Sequence, residues 1–339
     1  MSEALHSYTL LATGGYDRII RLWDAASGKN LKCFTFNPPG LNAPQVPNVN
    51  TLYITKNKSK LLAGGYAALH MFDIASSSTN AVATLDGHVG NVTQVDVEPH
   101  QRWIYSSSED RTVRLWDSST LKSLKRLVHP HGVNTVALRP SHTNEMVTGD
   151  MDGHVIVWDI STDKHLKTID LFDQSGVRSL SFTPDGDYLL AVSNTGDMRI
   201  FNIKSDATYF HEILREKVGS PYCLSACISP DGHYMASAGS DGIVRTWTFN
   251  PDQNPDDDGV VPPILAPKFV LKAHSNWCWE CKLSADGAYL VSCSSDTTAR
   301  LWDLTAPPPE GLAIRHYTGH PKAVTCLALR DEAVVVNGQ

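Results

Sequence analysis

Seven copies of one short pattern run along the chain, and this repetition limits the possible folds more than any other feature. In each copy an apolar alternating run is followed by a turn, a second run, a tight turn and a strand that ends in an aromatic residue. The seven final strands read IIRLWD, ALHMFD, TVRLWD, HVIVWD, DMRIFN, IVRTWT and TARLWD, with their aromatic residues at Trp23, Phe72, Trp116, Trp158, Phe201, Trp247 and Trp302. Most of the intervals are close to the length of a four-stranded repeat, which is about 40 to 45 residues. We therefore expect seven units of four strands.

The turns between the strands support an all-β fold. SPDG at 229–232, TPDG at 183–186 and SADG at 284–287 place Asp-Gly where a tight hairpin needs positive φ values. No helical periodicity of useful length occurs, so radial repetition of small sheets is the architecture that fits. The sequence predicts a seven-bladed WD-repeat β-propeller that forms a single domain over residues 1–339. The predicted blades are 8–36 plus 323–329, 48–85, 91–128, 132–170, 176–214, 222–271 and 277–318.

The two ends of the chain are out of phase with the repeat. The first strand, 8–13, is the second strand of a blade, whereas 323–329 reads as an innermost strand with nothing after it. We expect 323–329 to complete blade 1, because this pairing removes two open sheet edges.

Three interruptions exceed ordinary loop length, at 37–47, 250–268 and 305–313, and their Pro, Gly and Asp content predicts exposed loops.

The charge and the cysteines exclude several classes of function. The formal net charge is -7, with 29 Lys and Arg against 36 Asp and Glu and no basic run, which disfavours nucleic acid. No signal-like or membrane-spanning apolar segment is present, so we expect a cytoplasmic protein. The seven cysteines are scattered and suit reduced, buried thiols. We expect no cofactor and no metal.

Four blades combine a His, a hydroxyl residue, an Asp and a Trp in a set that resembles a hydrolase triad. The sets are His320 with Thr13, Asp17 and Trp23; His88 with Ser106 or Ser108, Asp110 and Trp116; His129 with Thr148, Asp152 and Trp158; and His274 with Ser292 or Ser294, Asp296 and Trp302. An enzyme needs one nucleophile in one pocket, whereas this set recurs. We therefore interpret the four sets as structural hydrogen-bond networks without a catalytic residue.

The start of the innermost strand of blade 7 is the predicted partner-binding site. Most blades carry small or polar residues there, but blade 7 has Trp277 and Trp279, near Tyr222 of blade 6 and Asn48 and Asn50 of blade 2. Tryptophan and tyrosine dominate the energetics of protein interfaces.

The residues resemble one family over nearly the whole chain. The segments that carry the resemblance are ATGGYDRIIRLWDAASG (12–28), LAGGYAALHMFDI (62–74), YLLAVSNTGDMRIFNI (188–203), NWCWECKLS (276–284), SSDTTARLWDL (294–304) and GHPKAVTCLAL (319–329). They are similar to the small WD-repeat subunit of the TOR (target of rapamycin) kinase complexes, also called the G-protein-β-subunit-like protein. Departures from a generic WD repeat match as well, notably the GGY of blade 2, the Phe-Asn end of blade 5 and the Trp-x-Trp of blade 7.

The resemblance implies a non-catalytic subunit that binds the kinase domain of a TOR-type kinase and supports its active conformation. It also implies other TOR complex subunits as partners, and contact through Trp277, Trp279, Asn48 and Asn50. The propeller itself would be a monomer within the larger complex. Two other functions stay open from the residues alone. One is a general WD-repeat scaffold, such as a ubiquitin-ligase substrate receptor or a ribosome-associated adaptor, and the other is a propeller hydrolase.

Overall fold

A computed structural model describes residues 9–37, 48–204, 210–253, 263–305 and 313–331. Within these ranges every helix or strand assigned is a β-strand. The predicted loops at 37–47 and 305–313 lie largely outside the described residues. Of the loop predicted at 250–268, residues 254–262 lie outside them, and the prediction was wrong at the end of this segment, where 265–268 belong to the strand Leu265–Leu271 and Leu265 is buried.

The strands in the first part of the chain are β1 Leu10–Gly15, β2 Ile19–Asp24, β3 Asn30–Thr35, β4 Thr51–Ile54, β5 Lys60–Gly64, β6 Tyr66–Asp73, β7 Ala83–Val97, β8 Trp103–Ser108, β9 Thr112–Asp117 and β10 Ser123–Val128. The next are β11 Val133–Leu138, β12 Glu145–Asp150, β13 His154–Asp159, β14 Lys164–Asp170, β15 Val177–Phe182, β16 Tyr188–Ser193, β17 Asp197–Asn202 and β18 His211–Lys217. The last are β19 Cys223–Ile228, β20 Tyr234–Gly239, β21 Val244–Phe249, β22 Leu265–Leu271, β23 Cys278–Leu283, β24 Tyr289–Ser294, β25 Ala299–Asp303, β26 Arg315–Tyr317 and β27 Val324–Arg330.

These strands form antiparallel sheets in the arrangement that the repeat predicts. Five sheets have four strands, in the orders β27-β1-β2-β3, β11-β12-β13-β14, β15-β16-β17-β18, β19-β20-β21-β22 and β23-β24-β25-β26. The sixth has seven strands, in the order β10-β9-β8-β7-β6-β5-β4. The long strand β7 pairs with β6 through its first half and with β8 through its second half. This sheet is therefore two successive four-stranded repeats that share one strand, and the fold class is confirmed as a WD β-propeller.

Turn chemistry accounts for the tight connections between strands. In SADG the Asp286 carboxylate accepts from the backbone N–H of Ala288 at 3.0 Å, and Ser284 Oγ accepts from the N–H of Tyr289 at 2.8 Å. Gly287 closes the turn at φ 65°, a conformation that costs glycine little. The short polar side chains thus satisfy backbone groups that the strand ladder leaves open.

The chain divides into two compact units. The first comprises Met1–Gly132, Cys293–Leu301 and Arg315–Gln339. Its main core combines apolar residues of β1, β2, β3, β4, β5, β6 and β27, and a second cluster joins β5 to β9. The second unit comprises Val133–Ser292 and Trp302–Ile314. Its three cores each lie between successive sheets. The division runs through β24 and β25, and the assignment of one domain to the whole chain stays a prediction.

The C-terminal strand completes the first sheet, as the phase of the repeat predicts. β27 pairs antiparallel with β1 from Leu10 opposite Arg330 to Gly15 opposite Val324. Val324, Cys326 and Leu327 are fully buried, whereas Leu329 is half-buried. The first unit therefore depends on residues that are more than 300 positions apart.

Candidate protein-interaction site

The first polar network joins the two ends of the chain. His320 Nδ1 lies 2.7 Å from Asp17 Oδ2, its Nε2 lies 2.9 Å from Thr13 Oγ1, and the Trp23 indole donates to the same Thr13 oxygen at 2.9 Å. Burial alone would raise the pKa of Asp17, but the hydrogen bond and the charge of His320 outweigh burial and lower it. The carboxylate is therefore ionised and fixes the orientation of the imidazole ring.

Blade 3 repeats this network. His88 lies 2.8 Å from both Asp110 and Ser106, and the Trp116 indole donates to Ser106 Oγ at 2.9 Å. Burial opposes ionisation of Asp110, yet hydrogen bonds with His88 and Thr112 hold its pKa well below the usual range. Of the two serines that the sequence left open, Ser106 is the one that joins histidine to tryptophan. Ser108 instead accepts from the backbone N–H of Asp110 at 3.1 Å.

In blade 7 the choice between serines has the same outcome. Ser292 Oγ lies 2.9 Å from His274 Nε2 and accepts from the Trp302 indole at 3.0 Å. Ser294 Oγ accepts from the backbone N–H of Asp296 at 3.0 Å.

Blade 4 departs from the expected arrangement. The Trp158 indole donates to Thr148 at 2.9 Å and His129 is buried, but Asp152 is exposed. The buried carboxylate is Asp150, which lies 3.1 Å from His154 Nδ1 and accepts from the His154 N–H at 2.9 Å. Two aspartates separated by one residue compete for this turn, and spacing from the tryptophan favoured Asp152.

The networks offer little for nucleophilic chemistry. The oxygens of Thr13, Ser106, Thr148 and Ser292 are fully buried, and each already accepts an indole N–H. A nucleophile must reach its substrate, and these hydroxyls are enclosed by the fold. Their arrangement satisfies buried polar groups that would otherwise cost about 1 to 3 kcal/mol each.

The predicted aromatic site lies in the second unit. The Trp277 side chain is 43% exposed, Trp279 is half-buried, and the two ring centroids are 5.5 Å apart at 54°. Tyr222 is 53% exposed and directly precedes β19. The structure therefore exposes two large aromatic residues immediately before two neighbouring innermost strands of one unit.

The chain around Trp277 explains how its side chain is presented. Cys278 and Cys281 are fully buried and anchor β23 in the core shared with β19 to β21. The Asn276 side chain accepts from the N–H of Trp277 at 2.8 Å, which fixes the backbone just before the strand. The indole of Trp277 is thus held on a rigid strand end.

Asn48 and Asn50 lie in the first unit and are half-buried. The Asn50 N–H donates to Gly64 O at 2.8 Å, and the N–H of Val49, which lies between the two asparagines, donates to Gly15 O at 3.2 Å. The backbone here is occupied by contacts within the fold, so these two residues present less side chain than the aromatic site.

Polar residues at equivalent strand starts tie neighbouring strands together. Within the first unit Thr325 Oγ1 donates to Val49 O at 2.8 Å. Within the second unit Asn134 donates to Val177 O at 3.0 Å and Arg178 donates to Leu224 O at 2.8 Å. These positions are polar because they bridge adjacent sheets, a role that the sequence pattern alone did not reveal.

Sequence analysis missed several exposed apolar residues. Tyr16 and Met151 are exposed in turns, Tyr66 is exposed at the start of β6, and Val89 is exposed in the middle of β7. Both tyrosines follow a Gly-Gly pair, and an apolar residue after such a pair was the available signal.

Two further properties of the described residues bear on function. They contain no group of three or more His, Cys, Asp or Glu side chains placed to hold a metal ion. The same residues also include no helix that is long and apolar enough to cross a membrane.

Comparison with known proteins identifies the family. The WD domain, G-beta repeat family matches residues 5–24, 79–117, 121–159, 164–202, 214–248 and 265–303, together more than half of the chain. "Protein LST8 homolog" of Drosophila melanogaster is 31% identical over 330 residues, which cover 96% of this chain and 97% of that protein. This chain belongs to the LST8 family of WD-repeat proteins.

Two other members extend the similarity to a mammal and a yeast. "Target of rapamycin complex subunit LST8" of Mus musculus is 30% identical over 333 residues, covering 96% of each chain. The protein of the same name from Saccharomyces cerevisiae is 31% identical over 324 residues, covering 95% of this chain and 99% of its own. The LST8 family relationship therefore spans the full repeat array.

Proposed function

We propose that this chain is a non-catalytic WD-repeat subunit of TOR kinase complexes that binds the kinase domain and supports its active conformation in growth and nutrient signalling. The names of its relatives in mouse and yeast, which are called target of rapamycin complex subunits, support membership of such a complex. The observation that carries the kinase contact is the exposed Trp277 beside Trp279 on a rigid strand end.

The aromatic site has the properties of an interface anchor. A tryptophan or tyrosine can remove roughly 150 to 250 Å² of surface from water while keeping a hydrogen-bond donor for the partner. Because the buried Cys278 and Cys223 fix the adjoining strands, little conformational entropy is lost when a partner covers Trp277 and Tyr222. Asn48 and Asn50 make a smaller contribution in this proposal, since both are half-buried.

The proposal of a non-catalytic role rests on the four hydroxyl networks. Their oxygens are buried and committed to indole donors, so the repeated His, Ser or Thr and Asp residues serve stability. We further propose that the protein acts in the cytoplasm, as a monomer within the complex, and reaches endomembranes only through its partners.

The proposal is tested by replacing the exposed aromatic residues. Trp277→Ala and Tyr222→Ala should each weaken co-purification with the kinase domain, and loss of about 2 kcal/mol corresponds to roughly a 30-fold higher Kd. Leu166→Ala is the matched control, because Leu166 is exposed in the same unit but lies on the outer strand β14. The thermal melts of all three variants should stay close to that of the parent protein.

Two results would contradict the proposal at different levels. Unchanged kinase affinity in Trp277→Ala and Tyr222→Ala, with normal melts, would show that the kinase contact lies elsewhere. If the parent protein failed to co-purify any TOR-type kinase from its own cells, a general WD-repeat scaffold in another complex would replace the TOR assignment.

A further inference from the structure

Arg114 on β9 is a half-buried cation in an unusual position. Its Nε is buried without a hydrogen-bond partner, and its guanidinium carbon lies 5.8 Å from the centre of the Trp116 ring. A Cβ placed on Gly87 would lie 2.7 Å from Arg114 Nη1, so the guanidinium group packs closely over that glycine. The guanidinium group thus lies close to both Gly87 and the Trp116 ring.

Equivalent arginines in other blades have a carboxylate beside them. Arg21 lies 3.8 Å from Asp17, Arg300 lies 3.6 Å from Asp296, and Arg245 lies 2.8 Å from Asp241. Among the described residues no carboxylate lies within ion-pair distance of Arg114. The nearby Asp110 is already bonded by His88, Thr112 and the N–H of Val89.

A second arginine lies directly opposite Arg114. Arg126 on β10 is its cross-strand partner, it is exposed, and within the described part of the chain it too has no ion pair. Like charges at such positions repel each other. Burial lowers the pKa of Arg114, the nearby Asp110 raises it, and Arg126 lowers it. An external anion would relieve this repulsion.

Exposed apolar side chains flank Arg126 on the same strand. Leu124 is 55% exposed and Val128 is 58% exposed, whereas Leu127 between Arg126 and Val128 is buried. Residues two apart share one face of a regular strand, so Arg126 and Val128 share a face, whereas Leu124 lies in the irregularity between Ser123 and Lys125. This face is locally basic in a chain whose net charge is -7.

We propose that Arg114 and Arg126 form a carboxylate-binding site for an acidic peptide segment of a protein partner. A guanidinium pair recognises a carboxylate through charge-assisted hydrogen bonds, and Val128, on the same face as Arg126, would contact an apolar side chain next to the acidic residue. The site is separate from the aromatic site, and its test does not depend on kinase binding.

The test uses fluorescence anisotropy with three labelled peptides. The first has the sequence Gly-Ser-Val-Glu-Val-Ser-Gly, the second has Gln in place of Glu, and the third has phosphoserine there. The Glu peptide should bind at least about tenfold more tightly than the Gln peptide, with weaker binding at high salt. Arg114→Gln and Arg126→Gln should each abolish this preference. Arg245→Gln is the matched control, since Arg245 has the same strand position but is paired with Asp241.

A thermal melt separates binding from a structural role. Arg126→Gln should melt at or slightly above the parent temperature, because the substitution removes a like-charge contact. Equal binding of the Glu and Gln peptides, no saturable binding of the Glu peptide up to millimolar concentration, or an unchanged preference in Arg126→Gln would overturn the proposal. Binding of the phosphoserine peptide alone would overturn the assignment of a carboxylate ligand.

Discussion

Removal of β27 should unfold the first unit, because this strand supplies part of its core. A chain that ends after Gly319 loses Val324, Cys326 and Leu327, which have no exposed surface. Full burial of such side chains is worth about 1.5 to 3 kcal/mol each, so the loss is about 4.5 to 9 kcal/mol before the backbone ladder with β1 is considered. A typical domain is stable by only about 5 to 15 kcal/mol. The loss therefore approaches the whole stability of the unit.

His320→Ala should have a much smaller effect than the truncation. The substitution keeps β27 and removes only the imidazole that joins Asp17 to Thr13. One broken buried network costs about 1 to 3 kcal/mol. Urea unfolding followed by tryptophan fluorescence would measure both changes, with a chain that ends after Asp331 as the control that retains β27.

The variants should differ in their free energy of unfolding in a fixed order. We expect parent and control to be nearly equal, His320→Ala to be moderately weaker, and the chain ending after Gly319 to aggregate or lack a cooperative transition. A soluble, cooperatively unfolding chain without β27 would refute the energetic role assigned to this strand. A His320→Ala variant as damaged as the truncation would show that the network outweighs the apolar core.

Two further predictions concern buried polar residues that the repeat pattern did not single out. His70 is buried with Nε2 unpartnered, and burial lowers its pKa while Asp86 has the opposite effect. Because the folded state resists protonation of this imidazole, the free energy of unfolding should fall as pH drops below about 6.5. His70→Leu should flatten this loss in urea unfolding at pH 7.5, 6.5 and 5.5, whereas an unchanged slope would rule His70 out as the cause. Arg139 is buried and donates to Gly186 O at 2.8 Å, to Ile203 O at 2.9 Å and to Glu145 at 2.8 Å. Arg139→Ala should cost about 3 to 5 kcal/mol in the same assay, against under about 1 kcal/mol for Lys217→Ala in an exposed ion pair. Equal costs would contradict the structural role assigned to Arg139.

The repeat pattern predicted the strands because the signals that define them are local. Asp-Gly turns require particular φ values, and alternating apolar residues require a half-buried strand. The partnership of β27 with β1 was predictable from phase alone, since each end of the chain lacked the strands that the other supplied. Such features depend on counting along the chain, which a sequence permits.

Side-chain burial at the candidate site was harder to predict because it depends on neighbouring sheets. Asn48 and Asn50 occupy the same repeat positions as Trp277 and Trp279, and of these four residues only Trp277 is exposed, whereas the other three are half-buried. In blade 4 the sequence offers two carboxylates, and the structure buries Asp150 while exposing Asp152. Spacing gives the position of a residue in a repeat, but competition for buried hydrogen bonds decides which carboxylate is enclosed.

A departure from the repeat indicates function only when the departing side chain is also exposed. Arg139 departs from the Ser or Thr found in several other blades, but it is buried and fully bonded, so its role is structural. Trp277 departs from its repeat position in the same sense, and although its ring packs against Trp279 it stays exposed at the end of a strand. Arg126 is likewise exposed and faces another arginine, a like-charge contact that a bound anion would offset. Exposure of side chains that add little to the fold is therefore the physical reason to assign binding roles to the aromatic site and to the arginine pair.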